Sequence, residues 1–121
     1  MKKNILVADD NKSIVEVISI VLEEKGYGVA TINDGHTIFY HATRDKPDLI
    51  LLDLWMSGID GAEVTHKLKN QKETREIPII IVSAKPDTEK IAKECGADGF
   101  LYKPFDIEDL ASIVAKHIRK T

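Results

Sequence analysis

A single cysteine, Cys95, stands among 121 residues, which excludes an internal disulfide and a cysteine-rich metal site. It lies beside Ile91 and Ala92 in a helical pattern, the setting of a small core residue. A dominant charge is lacking too. Seventeen basic against 20 acidic side chains leave a net charge of −3, which supplies no field for nucleic-acid phosphates. Direct DNA or RNA binding by this chain is therefore not expected. Long apolar runs are absent: Met1-Lys2-Lys3-Asn4 leads into only four apolar residues before two aspartates, too few for a signal peptide or a membrane span. A cytoplasmic location without membrane association is the expectation. Nothing repeats at solenoid periods, no linker-like tract interrupts the chain, and the length suits one domain over residues 1–121.

What is present is a set of short apolar runs, each ending in a polar group. Ile5-Leu6-Val7-Ala8 ends in Asp9 and Asp10, and Leu49-Ile50-Leu51-Leu52 ends in Asp53. Ile79-Ile80-Ile81-Val82 ends in Ser83, and Phe100-Leu101-Tyr102 ends in Lys103. Such runs read as buried parallel strands that deliver chemistry at their carboxyl ends. Helical patterns alternate with them. Ile14, Val17, Ile18, Val21 and Leu22 line one face after a cap at Asn11, and Gly26 ends that helix. Gly28 to Ile32 reads as a short strand, and Asp34-Gly35 leads into a helix with Ile38, Phe39 and Ala42. Asp60 and Glu63 have capping-box spacing ahead of Val64 and Leu68. A helix from about Asp87 to Gly96 and a last one with Ile107, Leu110, Val114 and Ile118 complete five βα units.

Five such units predict an α/β fold, a doubly wound five-stranded parallel sheet with right-handed crossovers. The flavodoxin-like order 2-1-3-4-5 sets strands 1 and 3 side by side, with a crevice above their carboxyl ends. Asp9, Asp10 and Asp53 are then expected around one cleft, with Ser83 and Lys103 on its far wall. Clustered carboxylates repel one another unless a cation stands among them. Mg²⁺ suits the set, because it takes one or two carboxylates plus waters and phosphate oxygens. Asp10 and Asp53 are the candidate direct ligands, Asp9 a ligand through water, and the Trp55 carbonyl a further one. Asp53 doubles as a candidate nucleophile, since an aspartate carboxylate can accept a phosphoryl group. Lys103 and the Ser83 hydroxyl can each take a phosphoryl oxygen. Taken singly, each of these residues reads as a cap, a turn residue or a surface lysine. Their joint placement at four strand ends carries the functional reading.

The chain resembles the receiver domain of bacterial two-component response regulators. The residues that match are Ile5-Leu6-Val7-Ala8-Asp9-Asp10-Asn11, Asp53-Leu54-Trp55-Met56-Ser57-Gly58-Ile59-Asp60-Gly61, Val82-Ser83-Ala84 and Gly96-Ala97-Asp98-Gly99-Phe100-Leu101-Tyr102-Lys103-Pro104-Phe105. The resemblance implies Asp53 as phosphoacceptor, Asp9 and Asp10 as the Mg²⁺ acid pair, and Lys103 as phosphoryl contact. It implies Ser83 as switch hydroxyl, Phe100 as switch aromatic, and a cis Lys103–Pro104 bond. Three residues depart from the common pattern. Ser57 replaces the usual proline, Phe100 stands where tyrosine is common, and Trp55 is bulkier than many residues at its position. Its ring is expected to screen an acyl phosphate from water.

An acyl phosphate would draw Ser83 inward and let Phe100 fill the vacated space, reshaping the face of the fourth helix, fifth strand and last helix. Tyr102 is the exposed aromatic expected there. The expected partners are a sensor histidine kinase or phosphotransfer protein upstream. Downstream they are an effector domain or protein, or a second copy of the chain through that face. His36, His41, His66 and His117 fall in helical patterns and read as structural, so the phosphoryl donor is another protein or a small acyl phosphate. The expected protein is a switch that catalyses only its own phosphotransfer and slow dephosphorylation, not an enzyme of turnover. An aspartyl-phosphate phosphatase would want a second aspartate where Trp55 stands. A flavin module would want a Gly/Ser/Thr phosphate loop where Asp9-Asp10-Asn11-Lys12 stands. A degenerate receiver that only binds protein would not need the complete acid set.

Overall fold

Three of the apolar runs become the buried middle of one sheet. In the computed structural model, which describes residues 2–56 and 58–120, the strands are β1 (Asn4–Ala8), β2 (Gly28–Ile32), β3 (Leu49–Asp53), β4 (Ile79–Ser83) and β5 (Gly99–Tyr102). All pair in parallel, in the spatial order β2-β1-β3-β4-β5, which is the order expected from the sequence. Apart from Asn4, Asp53 and Ser83 at their ends, the central strands are apolar because helices cover both faces.

Side chains alternate between two cores. Leu6, Ala8, Ile50, Leu52, Ile79 and Ile81 join Ile38, Ala42, Val64, Leu68 and Ala92 from α2 (Ile38–Asp45), α3 (Gly61–Lys69) and α4 (Thr88–Cys95). Ile5, Val7, Leu49, Leu51, Ile80 and Val82 join Ile18, Val21, Leu22, Leu110 and Val114 from α1 (Lys12–Glu24) and α5 (Ile107–His117). A register slip of one residue would exchange the two cores, so burial on both faces fixes the strand ends relative to one another. Cys95 is buried in α4 with its Sγ 3.4 Å from the Ala92 carbonyl, and burial pushes its thiol pKa up. Among the described residues no helix is long and apolar enough to cross a membrane.

The helix boundaries follow local chemistry. The Asn11 side chain accepts the Ile14 N–H at 3.1 Å, and Gly26 closes α1 at φ 95° while Tyr27 N–H returns to Leu22 O at 3.1 Å. The second helix enters differently from the sequence expectation. A 3₁₀ turn over Gly35–Thr37 precedes α2, because the Asp34 side chain takes the His36 N–H at 2.9 Å and tightens the entry. The Asp60–Glu63 spacing gives a simple cap in place of the reciprocal box: Asp60 accepts the Ala62 N–H at 2.9 Å, while Glu63 lies 3.9 Å from Lys67. A small antiparallel ladder, Trp55 opposite Asp60 and Met56 opposite Ile59, was not foreseen. It folds the chain after β3 back toward the start of α3.

Candidate functional site

The sheet register brings the polar strand ends together. Ala8 pairs with Leu52, Asp53 with Val82, and Ser83 with Tyr102, so Asp9, Asp53, Ser83 and Lys103 fall along one edge. The hydrogen bonding runs past the strand ends. Asp9 N–H donates to Ile32 O at 3.2 Å, Leu54 N–H to Val82 O at 3.1 Å, and Lys103 N–H to Ser83 O at 2.9 Å. Backbone pairing thus fixes the root of each side chain of the site.

One carboxylate oxygen from each of Asp9, Asp10 and Asp53 lies within 4.8 Å of the others. Asp9 is 3 % exposed, Asp53 is half-buried and Asp10 is exposed. The Lys103 ammonium approaches from the far side, 2.9 Å from Asp9 Oδ2 and 3.5 Å from Asp53 Oδ1. The other oxygen of Asp9 accepts the Asn11 N–H at 2.9 Å. Asp53 also accepts a backbone hydrogen bond from Trp55. Burial raises the Asp53 pKa above the usual carboxylate value, the charge of Asp9 raises it further, and Lys103 and the Trp55 N–H oppose both. A half-buried carboxylate with anionic neighbours is a site that gains from a dication, and three acid oxygens with room for waters fit the hard coordination of Mg²⁺.

The remaining expected residues fall around this cluster. Ser83 is buried at the end of β4, and its Oγ accepts the Lys85 N–H at 3.0 Å. Phe100 is half-buried against the core of the α2, α3 and α4 face. Trp55 is 62 % exposed two residues after Asp53. The Lys103–Pro104 bond is cis. Ser57 lies outside the described residues.

Two contributors escaped the sequence reading. The Trp55 N–H serves Asp53, where only the carbonyl had been considered. Gly61 is required by close approach: a Cβ there would stand 2.6 Å from the Asp53 carbonyl oxygen and 2.8 Å from that of Leu54. Its N–H donates to Leu54 O at 2.7 Å, so the start of α3 is pressed against the segment that carries Asp53. A glycine following the capping aspartate was the available signal.

A family model for the response regulator receiver domain matches residues 5–115. The chain belongs to this family, the receiver domains of two-component response regulators. It is 37 % identical over 123 residues to the alkaline phosphatase synthesis transcriptional regulatory protein PhoP of Bacillus subtilis, covering 100 % of this chain and 50 % of that protein. The chain spans about half the length of the curated relatives it matches. A crystal structure of a putative response regulator from Chloroflexus aurantiacus superposes with TM-score 0.90 at 26 % identity, over 96 % of this chain and 97 % of that one. The receiver domain of the sensor histidine kinase PA1611 from Pseudomonas aeruginosa, with a magnesium ion coordinated in its active-site cleft, gives TM-score 0.86 at 29 % identity over 97 % and 98 % of the two chains.

Proposed function

We propose that residues 1–121 form a phosphoaccepting signalling switch in which Asp53 takes a phosphoryl group from a phosphohistidine of a sensor histidine kinase or phosphotransfer protein. One observation carries the reading: Lys103 lies within 3.5 Å of both Asp9 and Asp53, while these two and Asp10 present oxygens within 4.8 Å. An Asp53 carboxylate oxygen attacks phosphorus, the phosphorus–nitrogen bond of the donor breaks, and the imidazole nitrogen keeps the electron pair. The product is an aspartyl phosphate. The Lys103 ammonium neutralises one phosphoryl oxygen, and the Ser83 hydroxyl, on leaving the Lys85 N–H, donates to another. Asp9 holds Lys103 in place. Asp10 and Asp53 would bind Mg²⁺ directly, Asp9 through water, and the Trp55 carbonyl would complete the protein's share. Bound there, the dication would offset the charge that collects on the phosphoryl oxygens.

The donor has to reach a half-buried carboxylate over the rim of the cleft. An apolar groove of about 370 Å³ beside Lys103, lined by Ser13, Ile14, Val17, Ala84, Pro104 and Phe105, suits the side of a donor helix. Output leaves by other elements. With Ser83 drawn to the phosphoryl group, Phe100 moves into the vacated space, and the α4–β5–α5 face changes for an effector domain or protein, or for a second copy of the chain. The protein's catalysis is confined to its own phosphotransfer and slow dephosphorylation, in the cytoplasm and without direct contact to nucleic acid or membrane.

Incubation with Mg²⁺ and acetyl phosphate, followed by intact-mass measurement, tests the chemistry. Wild type should gain one phosphoryl group, and Asp53→Asn none. Equal gain by both proteins would move the acceptor elsewhere, and a wild type that stays unmodified would overturn the reading.

A further inference from the structure

Phe100 carries no hydroxyl, yet a tyrosyl hydroxyl stands two residues along the same face of β5. Tyr102 pairs with Ser83 across β4 and β5. Residues two apart on a strand share a face, and the rings of Phe100 and Tyr102 meet edge-on with centroids 5.4 Å apart at 77°. Past this contact the Tyr102 hydroxyl donates to the Pro86 carbonyl at 3.3 Å. The segment Ser83-Ala84-Lys85-Pro86 is therefore tied to β5 at both ends, by the strand ladder at Ser83 and by a side chain at Pro86. Between these ties, Lys85 N–H donates to Ser83 Oγ at 3.0 Å, and Lys85 O accepts from Thr88 Oγ1 at 2.7 Å.

We propose that Tyr102 is a positioning residue for Ser83, its hydroxyl latching the loop whose Lys85 N–H holds the Ser83 hydroxyl in the resting state. The inference rests on the reading of Ser83 as a phosphoryl contact. The two hydrogen bonds act in series. While Pro86 is held, Lys85 N–H stays within reach of Ser83 Oγ. When a phosphoryl group at Asp53 takes that hydroxyl, the loop loses its inner anchor and Pro86 withdraws from Tyr102. A separation of 3.3 Å exceeds the usual hydroxyl–oxygen range of about 2.5–3.0 Å, so the latch is weak enough to be outcompeted. Tyr102 is already 40 % exposed. On release its hydroxyl faces whatever partner occupies the α4–β5 surface, supplying there the polar group that Phe100 lacks.

The test uses the whole chain and Tyr102→Phe, which keeps the ring contact and removes the hydroxyl. Amide hydrogen exchange at Lys85 is followed by NMR without phosphoryl donor and then with Mg²⁺ and acetyl phosphate. Phosphorylation rates come from intact mass. Without donor, the variant should melt no more than a few degrees below wild type and exchange the Lys85 amide about two- to fivefold faster, the scale of one modest hydrogen bond. It should also gain phosphate faster by about the same factor. Phosphorylation should raise exchange across Ala84–Asp87 in wild type and add little in the variant. Equal exchange and equal rates in the two proteins would overturn the latch, as would wild-type exchange that phosphorylation leaves unmoved. Faster exchange with an unchanged rate would reduce Tyr102 to a structural tie and overturn it too. A wild type that phosphorylates normally beside an indistinguishable variant sinks the latch alone, whereas a wild type that gains no phosphate sinks the function beneath it.

Discussion

The ammonium of Lys103 is bound more closely by Asp9, at 2.9 Å, than by Asp53, at 3.5 Å. The candidate phosphoacceptor therefore shares its cation with a more deeply buried neighbour. Lys103→Met removes the positive charge and leaves Asp9 buried with only the Asn11 N–H among these partners. A fully buried pair broken on one side costs about 3–5 kcal/mol, and the partial exposure of Lys103 lowers the expected loss to about 2 kcal/mol. Mg²⁺ should raise the melting temperature of the variant more than that of wild type, because a competing cation has gone, while phosphorylation from acetyl phosphate falls. An equal Mg²⁺ effect on both would separate Lys103 from the acid cluster.

Asp53 gives a pH signature. Burial first, and then the charge of Asp9, raise its pKa in the folded protein. Between the unfolded and folded pKa values the folded chain holds more protons than the unfolded one, so stability falls as pH climbs through that window and stays lowered above it. Asp53→Asn removes this penalty. In EDTA at neutral pH the variant should melt a few degrees above wild type, with the gap narrowing as pH falls below the window. A constant gap across the acid range would assign the gain to some other cause.

Much of this arrangement was readable from the chain because two-sided burial writes continuous apolar runs. Ile79-Ile80-Ile81-Val82, short, β-branched and opened by Pro78, reads as a central strand of such a sheet, and its end places Ser83. Strand order and the four strand-end groups followed. Features that depend on tertiary approach were not readable. Lys69 and Asp98, 29 positions apart, meet at 2.6 Å, and the same Asp98 oxygen accepts the Ile79 N–H at 2.8 Å. Lys69 also donates to Ile77 O at 2.7 Å, so this clamp sets where β4 begins. Either residue alone reads as an ordinary surface charge. The Trp55–Asp60 ladder was hidden for a related reason, since two-residue strands leave no periodicity to detect.

Trp55 separates shielding from structure. Its ring is 62 % exposed, so Trp55→Ala should cost under about 1 kcal/mol of stability. The backbone N–H that serves Asp53 survives the substitution. If the indole screens an aspartyl phosphate from water, the half-life of the phosphorylated variant should drop by roughly three- to tenfold, equivalent to about 1 kcal/mol of barrier. The decay of phosphorylated mass after removal of donor measures it. An unchanged half-life would leave the exposed indole to another task, contact with the donor protein being the first to test.

Gly58 and Gly61 lie three residues apart in the segment after Asp53, yet they should respond differently to alanine. Gly58 has φ 72° and open space around its would-be Cβ, so Gly58→Ala pays only for left-handed backbone, about 1–2 kcal/mol. Gly61 has backbone oxygens of Asp53 and Leu54 within 2.8 Å of the added carbon, and backbone cannot rotate away as a side chain can. Gly61→Ala must push the start of α3 off the end of β3, at about 2–3 kcal/mol. It should also displace Asp53 from Lys103 and the other acids. Melting curves and acetyl phosphate labelling should then diverge between the two variants. Gly58→Ala should lose stability while keeping its phosphorylation rate, and Gly61→Ala should lose both. Equal labelling by the two would show that the Asp53 carboxylate keeps its place without help from the close packing at Gly61.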